Sequence, residues 1–304
     1  MDTDPDTLAT ALYVRVDDAL KDHPELAPWR PAVGIAPKLS DAELVTLAVM
    51  QALLGFTSET RWLRYVDKHL ASMFPYVPGQ AGYNKRLRAA AGLLRALIRV
   101  LAVECSTWAD DMWLIDSTPV ECGRSRPTAQ RSALAGWAGY GYCASHSRYF
   151  WGLRLHLVCT PSGLPISFAL ANPKTDEREV ARDLFEIDPA LLAHRPGQTI
   201  VADKGYASRE FEGFLNDRGA TLVRPAFKRG KPRPGAGLLK PFRQIIESIN
   251  DTLKGQLDLE RHGGKTAGGV AARVLQRLLA LTTAIWHNDR CAAPRLRSLT
   301  AYDH

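Results

Sequence analysis

The chain is poor in cysteine and has no long apolar run, and each shortage excludes a class of protein. Its five cysteines are odd in number and form no Cys-x2-Cys pair, so a disulfide-stabilised secreted domain is not expected. No apolar stretch reaches membrane-spanning length, and the first 25 residues contain seven acids, the reverse of a secretory signal. We therefore expect a cytoplasmic protein with no membrane partner.

A zinc site is also disfavoured. Cys143-x2-His146 and His156-x2-Cys159 have spacings that resemble those of zinc ligands. The second pair, however, falls in FWGLRLHLVCT, which has the composition of a strand. Residues three apart on a strand point to opposite faces, so this pair is unsuited to holding one ion.

Acidic residues are missing from two stretches of the chain. From Cys122 to Thr175 there are 54 residues without Asp or Glu, where the average content of the chain would give about six. The run from Arg224 to Arg243 is also acid-free and carries seven cations, and the whole chain has a net charge of +7. Two basic stretches predict contact with phosphates, although either one alone could be a solvated loop. In the first stretch, the candidate DNA-binding residues are Arg124, Arg126 and Arg131.

Short helices dominate residues 1–109, which we expect to form a helical DNA-binding region. One predicted helix covers YVRVDDALKDH, and the next begins with a capping box from Ser40 to Glu43 and ends at Gly55. Another covers SETRWLRYVDKHLASMF, and the last runs from about Tyr83 to Glu104.

The start of that last helix is basic and polar, with Asn84, Lys85 and Arg86 in succession. Short helices joined by tight turns fit a helix-turn-helix-like module, in which these residues would contact DNA. A plain helical bundle with basic surface residues explains the same pattern equally well.

Residues 110–290 alternate between strand and helix patterns, with a tail at 291–304. Strands are predicted in five segments: MWLIDS, FWGLRLHLVCT, LPISFAL, TIVADKGYAS and TLVRPA. The first of these strands ends near Asp116, and the strand in TIVADKGYAS ends at Asp203. Helices are predicted from Glu177 to about Glu186, in SREFEGFLNDRG and around Glu247. This order predicts an α/β domain with a mixed sheet and flanking helices.

The helix around Glu247 is amphipathic. Its apolar residues recur with helical spacing and predict one buried face. Arg243, Glu247 and Lys254 fall within about 40° of one another on a regular helix, along the edge of that face. Intrahelical pairing of Arg243 with Glu247, four residues apart, is the alternative interpretation.

Asp116, Asp203 and Glu247 together suggest a metal site. In open α/β sheets, chemistry collects at the carboxyl ends of the strands, where both aspartates are predicted. Three carboxylates brought together need a compensating cation, and hard oxygen ligands select Mg²⁺ or Mn²⁺. Two such ions can activate an attacking oxygen and stabilise the leaving oxygen at phosphorus.

These residues also carry a resemblance. IDS at Asp116, ADKGY at Asp203 and Arg-x3-Glu-x6-Lys at Arg243, Glu247 and Lys254 resemble the DDE transposases of bacterial insertion sequences, with separations of 87 and 44 residues between the acids. The resemblance extends through SDAELVTLAVMQALLGFTSETRWLRYV. It implies a ribonuclease-H-like catalytic domain. One departure is that Lys240 stands where the family often has Tyr, so the role of that Tyr is not carried over.

The resemblance assigns roles to these positions. Asp116, Asp203 and Glu247 would bind two Mg²⁺ ions, with Mn²⁺ as a substitute, while Arg243 and Lys254 would contact DNA-end phosphates. The expected substrates are double-stranded terminal inverted repeats and target DNA, and the expected assembly is a nucleoid-associated homodimer. Two alternatives remain: a regulator that binds DNA without cutting it, and a structure-specific nuclease of the same fold.

Overall fold

The computed structural model describes residues 5–31, 33–123, 126–143, 147–226, 235, 237 and 239–302. Its helices are α1 (Pro5–Asp22), α2 (Asp41–Leu53), α3 (Glu59–His69), α4 (Gln80–Ala89), α5 (Ala91–Val103), α6 (Arg126–Arg131), α7 (Glu177–Ile187), α8 (Ala190–Ala193), α9 (Arg209–Asn216), α10 (Leu239–Asp251) and α11 (Ala267–Arg290). Its strands are β1 (Met112–Gly123), β2 (Gly139–Cys143), β3 (Arg148–Cys159), β4 (Pro165–Ala171), β5 (Thr199–Val201) and β6 (Thr221–Val223).

The chain divides into two compact units. Met1–Cys105 and Leu253–His304 form one, and Ser106–Thr252 form the other. The boundary near 105 lies close to the predicted boundary at 109. Helix α11, which falls in the predicted range 110–290, packs against α5 and α2 in the first of these units, called the helical unit below. Because α11 is buried around most of its circumference, it needs helices on several sides rather than one face of a sheet. The functions predicted for 1–109, 110–290 and 291–304 stay predictions.

In the helical unit, the predicted capping box is present. Ser40 Oγ accepts the Glu43 N–H at 3.0 Å, and the Glu43 carboxylate accepts the Ser40 N–H. This exchange satisfies two N–H groups that the first turn of α2 leaves open. The helix predicted from Tyr83 to Glu104 is instead two helices, because Ala90 leaves helical geometry between α4 and α5. No helix in the described ranges is long and apolar enough to cross a membrane.

The described strands form a mixed sheet in the order β2-β3-β1-β5-β6, with β4 also paired to β3. The pairs β1–β3, β2–β3 and β3–β4 are antiparallel, whereas β1–β5 and β5–β6 are parallel. A core that includes Trp113, Ile115, Val158 and Phe185 fills the space between one sheet face and the flanking helices. This is the mixed α/β arrangement that the alternating pattern predicts.

Two strand predictions need correction. The strand predicted at 112–117 continues to Gly123, so Asp116 lies within β1 and not at its end. The cause is the partner strand, because β3 pairs with β1 from Leu114 to Gly123. In addition, β2 was not predicted: Gly-Tyr-Gly-Tyr-Cys has the glycine content of a loop and is extended here by pairing with β3.

Candidate active site

Asp116 and Asp203 lie side by side because of the register between two parallel strands. Leu114 of β1 pairs with Val201, the last residue of β5, and Asp116 and Asp203 each follow two residues later. The sheet continues at this point, since the Ala202 N–H donates to the Val223 carbonyl at 3.0 Å. Residues in register on parallel strands project to the same face. The strands therefore present two carboxylates together.

The Asp116 carboxylate lies in a partly buried position with one clear donor. The side-chain amide of Asn250, on α10, donates to Asp116 Oδ2 at 2.8 Å. Desolvation first, and then the charges of Asp203 and Glu177, raise the pKa of Asp116 to about 6, against the opposing effect of the hydrogen bonds from the Ser117 backbone and the Asn250 side chain. The Asn250 amide thus holds the carboxylate in place.

Asp203 is oriented by the turn that follows β5. Its Oδ1 accepts the Gly205 N–H at 2.7 Å, at the start of the turn Lys204–Tyr206. Desolvation, followed by the charge of Glu177, raises its pKa. A Cβ on Gly205 would stand 2.9 Å from Asp203 Oδ1 and 2.5 Å from Glu177 Oε2. A larger residue at this position would displace one or both carboxylates, which accounts for the Gly of the ADKGY motif.

A third carboxylate near the aspartates is Glu177, at the first position of α7. Glu177 Oε1 accepts from Ser117 Oγ at 2.7 Å and from the Arg154 guanidinium. The same guanidinium donates to Ser117 Oγ at 2.8 Å and to the Tyr142 carbonyl at 2.9 Å. Arg154 therefore joins β3, β1, β2 and α7 at one point beside the acids.

Sequence reasoning missed Glu177 and counted Arg154 only as a basic residue. Two signals pointed to them. Arg154 interrupts an otherwise apolar strand, and Asp176 and Glu177 are the first acids after the long acid-free stretch. Neither signal says that the two residues meet, because 23 positions separate them along the chain.

Tyr206 lies buried among the acids. Its hydroxyl has no hydrogen-bond partner within the described part of the chain. Desolvation, and then the charges of Glu177, Asp116 and Asp203, raise its pKa well above the ordinary value. A buried hydroxyl beside three carboxylates marks a place where an ordered water or a hydrated cation would be bound.

Glu247 lies outside this cluster. It is exposed and accepts from Arg243 Nε at 2.9 Å, with side-chain exposures of 58% for Glu247 and 82% for Arg243. Asn250, one turn later on α10, makes the contact to Asp116 instead. Across the described residues, no three His, Cys, Asp or Glu side chains lie close enough to hold a metal. The expected set of Asp116, Asp203 and Glu247 is thus not assembled as a metal site in this structure.

Lys254 departs from the regular helix that was assumed for it. The α-helix ends at Asp251, and Thr252–Gln256 form a π-helical turn. A π turn contains more residues than an α turn, so an angle calculated at 100° per residue does not apply beyond Asp251. Lys254 is half-buried, and its place on a common arc with Arg243 and Glu247 stays a prediction.

Comparison with known proteins bears on the identity of the chain. A family model described as the transposase DDE domain matches residues 108–283, which is more than half of the chain. The chain belongs to this family of DDE-domain transposases. The comparison with curated proteins found no match.

One solved structure, a piggyBac transposase synaptic complex with hairpin DNA, is similar to this transposase at 11% sequence identity and a TM-score of 0.35. The match covers 96% of this chain and 82% of that one.

The arginines predicted to bind DNA in this transposase are only partly described. Arg126 and Arg131 lie exposed on the short helix α6, where they could reach a phosphate. Arg124 lies outside the described residues.

In the helical unit, Asn84 and Arg86 are engaged within the protein. Asn84 donates to Glu59 at 2.7 Å, and Arg86 donates to the Leu39 carbonyl at 2.6 Å and to Asp41 at 2.8 Å. Lys85, between them, is exposed. Contact of this helix with DNA bases stays a prediction.

The Arg154–Glu177 pair makes a testable contribution to stability. Arg154→Met should lower the free energy of unfolding by about 1–3 kcal/mol, because a half-buried carboxylate and the Tyr142 carbonyl both lose a donor. Glu177→Gln should cost less, and the double variant should cost clearly less than the two single changes together. Urea unfolding of the four proteins measures this coupling.

The matched control is Arg182→Met, which breaks the exposed pairs with Glu186 and Glu210 and should change stability far less. If the costs of Arg154→Met and Glu177→Gln simply add, the two side chains are not paired in solution.

Proposed function

We propose that this transposase is a metal-dependent enzyme of the insertion-sequence kind. It hydrolyses the phosphodiester bond at the ends of its element, and the released 3′-hydroxyl then attacks target DNA. The observation that carries this proposal is the proximity of Asp116, within β1, to Asp203, just after the end of the adjacent parallel strand β5, with both inside the matched transposase domain. A ribonuclease-H-like fold for residues 106–252 belongs to the same proposal. It is supported by the antiparallel run β4-β3-β1 followed by the parallel strands β5 and β6.

The donor set fits a hard divalent cation. Asp116 and Asp203 supply carboxylate oxygens, the ligands that Mg²⁺ and Mn²⁺ prefer. Arg154, a cation beside the cluster, is bound to Glu177. A second observation is the buried Tyr206 hydroxyl, which has no partner in the described residues. When bound, two such ions would activate the attacking oxygen and stabilise the leaving oxygen at phosphorus.

Glu247 is proposed as the third ligand, which requires its side chain to leave Arg243. That step costs little, because an exposed ion pair of this kind contributes at most about 1 kcal/mol. Glu247 lies one turn before Asn250, a rise of about 4.5 Å along α10. Asn250 already contacts Asp116, so α10 brings Glu247 to the edge of the site. Once released, Arg243 is available to a phosphate of the DNA end.

Other side chains of the protein position the reacting groups. Asn250 fixes the orientation of Asp116, and the Gly205 N–H fixes that of Asp203. Lys254, Arg124, Arg126 and Arg131 are proposed to bind phosphates, and the helical region with Asn84, Lys85 and Arg86 is proposed to bind the terminal repeat. The enzyme would act as a homodimer on two DNA ends in the cytoplasm, associated with the nucleoid.

One observation favours a second candidate, a regulator that binds DNA without cutting it. Glu247 is paired with Arg243 and stands apart from the aspartates. Any metal-dependent cut would exclude this candidate. A nuclease of the same fold is distinguished by its products, because only a transposase joins a labelled element end to target DNA.

Asp203→Asn should abolish cleavage of element-end DNA in Mg²⁺. DNA affinity should stay the same or rise slightly, because the substitution removes a metal ligand and also a negative charge that faces phosphates. Single-turnover cleavage and fluorescence anisotropy on the same preparation measure both effects. Asp183→Asn, on α7 outside the acid cluster, is the matched control and should cut normally. Cleavage by Asp203→Asn at the wild-type rate would disprove the proposed site.

Lys254→Ala should lower single-turnover cleavage about tenfold to a hundredfold, equivalent to about 1.4–2.7 kcal/mol of barrier. The proposed role of Lys254 is to position the scissile end, so affinity for random DNA should change little when one phosphate contact among many is lost. Thermal melting provides the control for folding. Normal cleavage by this variant would return Lys254 to a purely structural role.

A further inference from the structure

A cavity of about 480 Å³ opens between α6 and β2, and the proposed chemistry does not use it. Its lining includes Arg126 and Gln130 of α6 together with Tyr140 of β2 and Trp151 of β3. The volume is within the range of about 300–1,000 Å³ that is typical of small-ligand sites. The lining combines a cation, an amide and two aromatic rings.

Local structure explains why these four side chains meet. Arg126 and Gln130 are four residues apart, so they share one face of α6. Tyr140 and Trp151 are direct cross-strand partners in the β2–β3 ladder, so their rings project to the same side of the sheet. Trp151 is almost fully buried, whereas Tyr140 is half exposed. The cavity therefore has an aromatic wall opposite a polar one.

The rim of the cavity is fixed by Asn172. Its side-chain amide donates to the Trp137 carbonyl at 3.0 Å. It also packs so closely on the chain that a Cβ at Gly139 would stand 2.7 Å from Asn172 Oδ1. The segment that leads into Tyr140 is thus held by a side chain from beyond β4.

The aromatic wall continues outward along the same ladder. Tyr142 and Tyr149 are the next cross-strand pair on this face, with ring centroids 5.0 Å apart. Both rings are exposed, Tyr149 to 80%. Exposed aromatic rings beside cations are the arrangement on which unpaired bases stack in proteins that bind single strands.

The cavity lies on the sheet face that carries Asp116. Leu157 pairs with Asp116 across β1 and β3, and alternate residues of β3 lead from Leu157 to Trp151 on one face. Six residues of strand span about 20 Å. A DNA strand that passes the aspartates and follows β3 would therefore reach the cavity a few nucleotides away.

We propose that this cavity binds an unpaired base of the DNA that the protein acts on. The base stacks on Tyr140 against the wall completed by Trp151. The Gln130 amide, which both donates and accepts, can bond the edge of any base, and Arg126 contacts the adjoining phosphate. The inference rests on the proposed function because it takes DNA as the ligand. It adds that the strand near the acids is unpaired at one position.

The test compares the affinity of the full chain for three labelled duplexes in EDTA. One duplex is fully paired, one has a single unpaired base, and one has an unpaired abasic sugar at the same position. The abasic duplex is equally bendable but offers nothing to stack. Wild type should bind the unpaired-base duplex about fivefold to a hundredfold more tightly than the abasic one.

Substitutions of the lining residues test whether the unpaired base binds in this cavity. Tyr140→Ala should bring the affinity ratio close to one, Tyr140→Phe should keep it, and Gln130→Ala should reduce it. Arg126→Ala should weaken binding to all three duplexes alike. The matched control is Tyr13→Ala, which removes a partly exposed tyrosine from α1 and should leave the ratio unchanged.

A wild-type ratio of one would overturn the cavity as a base site while leaving DNA binding intact. An unchanged ratio in both Tyr140→Ala and Gln130→Ala would overturn it as well. Failure to bind any duplex would overturn the proposed function together with this inference. If Tyr140→Ala does not fold by circular dichroism, Gln130→Ala and Tyr140→Phe still decide the outcome.

Discussion

The repulsion between two carboxylates on neighbouring strands is the constraint on which the rest of the site depends. The β1–β5 register brings Asp116 and Asp203 close together, and the charge of Asp203 contributes to the raised pKa of Asp116. Two independent groups hold them there: the Asn250 amide from α10 and the Gly205 N–H from the turn after β5. A fold that places like charges together and orients both of them is suited to bind a cation between them.

The Arg154–Glu177 pair holds together the strands and the helix that surround the aspartates. The guanidinium bonds Glu177, Ser117 and the Tyr142 carbonyl, so one side chain connects three strands and the start of α7. The guanidinium bonds Glu177 directly and acts on Asp203 only through its charge, so the carboxylate oxygens of the aspartates are not engaged by Arg154. Through Tyr142, it also connects the acid cluster to the aromatic strand that borders the proposed base cavity.

Local signals predicted the local structure. Ser40 and Glu43 identified the start of α2 because a capping box involves only neighbouring residues. The apolar run before Asp203 identified β5. The sequence did not reveal the contacts between residues far apart along the chain. Strand β2 is extended because it pairs with β3, and Glu177 meets Arg154 only in the folded protein. For Glu247, a helical wheel gives the same position whether the side chain pairs with Arg243 or turns to the aspartates.

Calorimetric titration of the full chain with Mn²⁺, in the absence of DNA, tests the central claim most directly. The account predicts binding that is lost in Asp116→Asn, weakened in Glu247→Gln and retained in Arg182→Met. Because the readout is metal affinity, it does not depend on knowing the DNA substrate. Binding by Asp116→Asn with the affinity and stoichiometry of the wild type would contradict the account, since the aspartate pair would then not hold the metal.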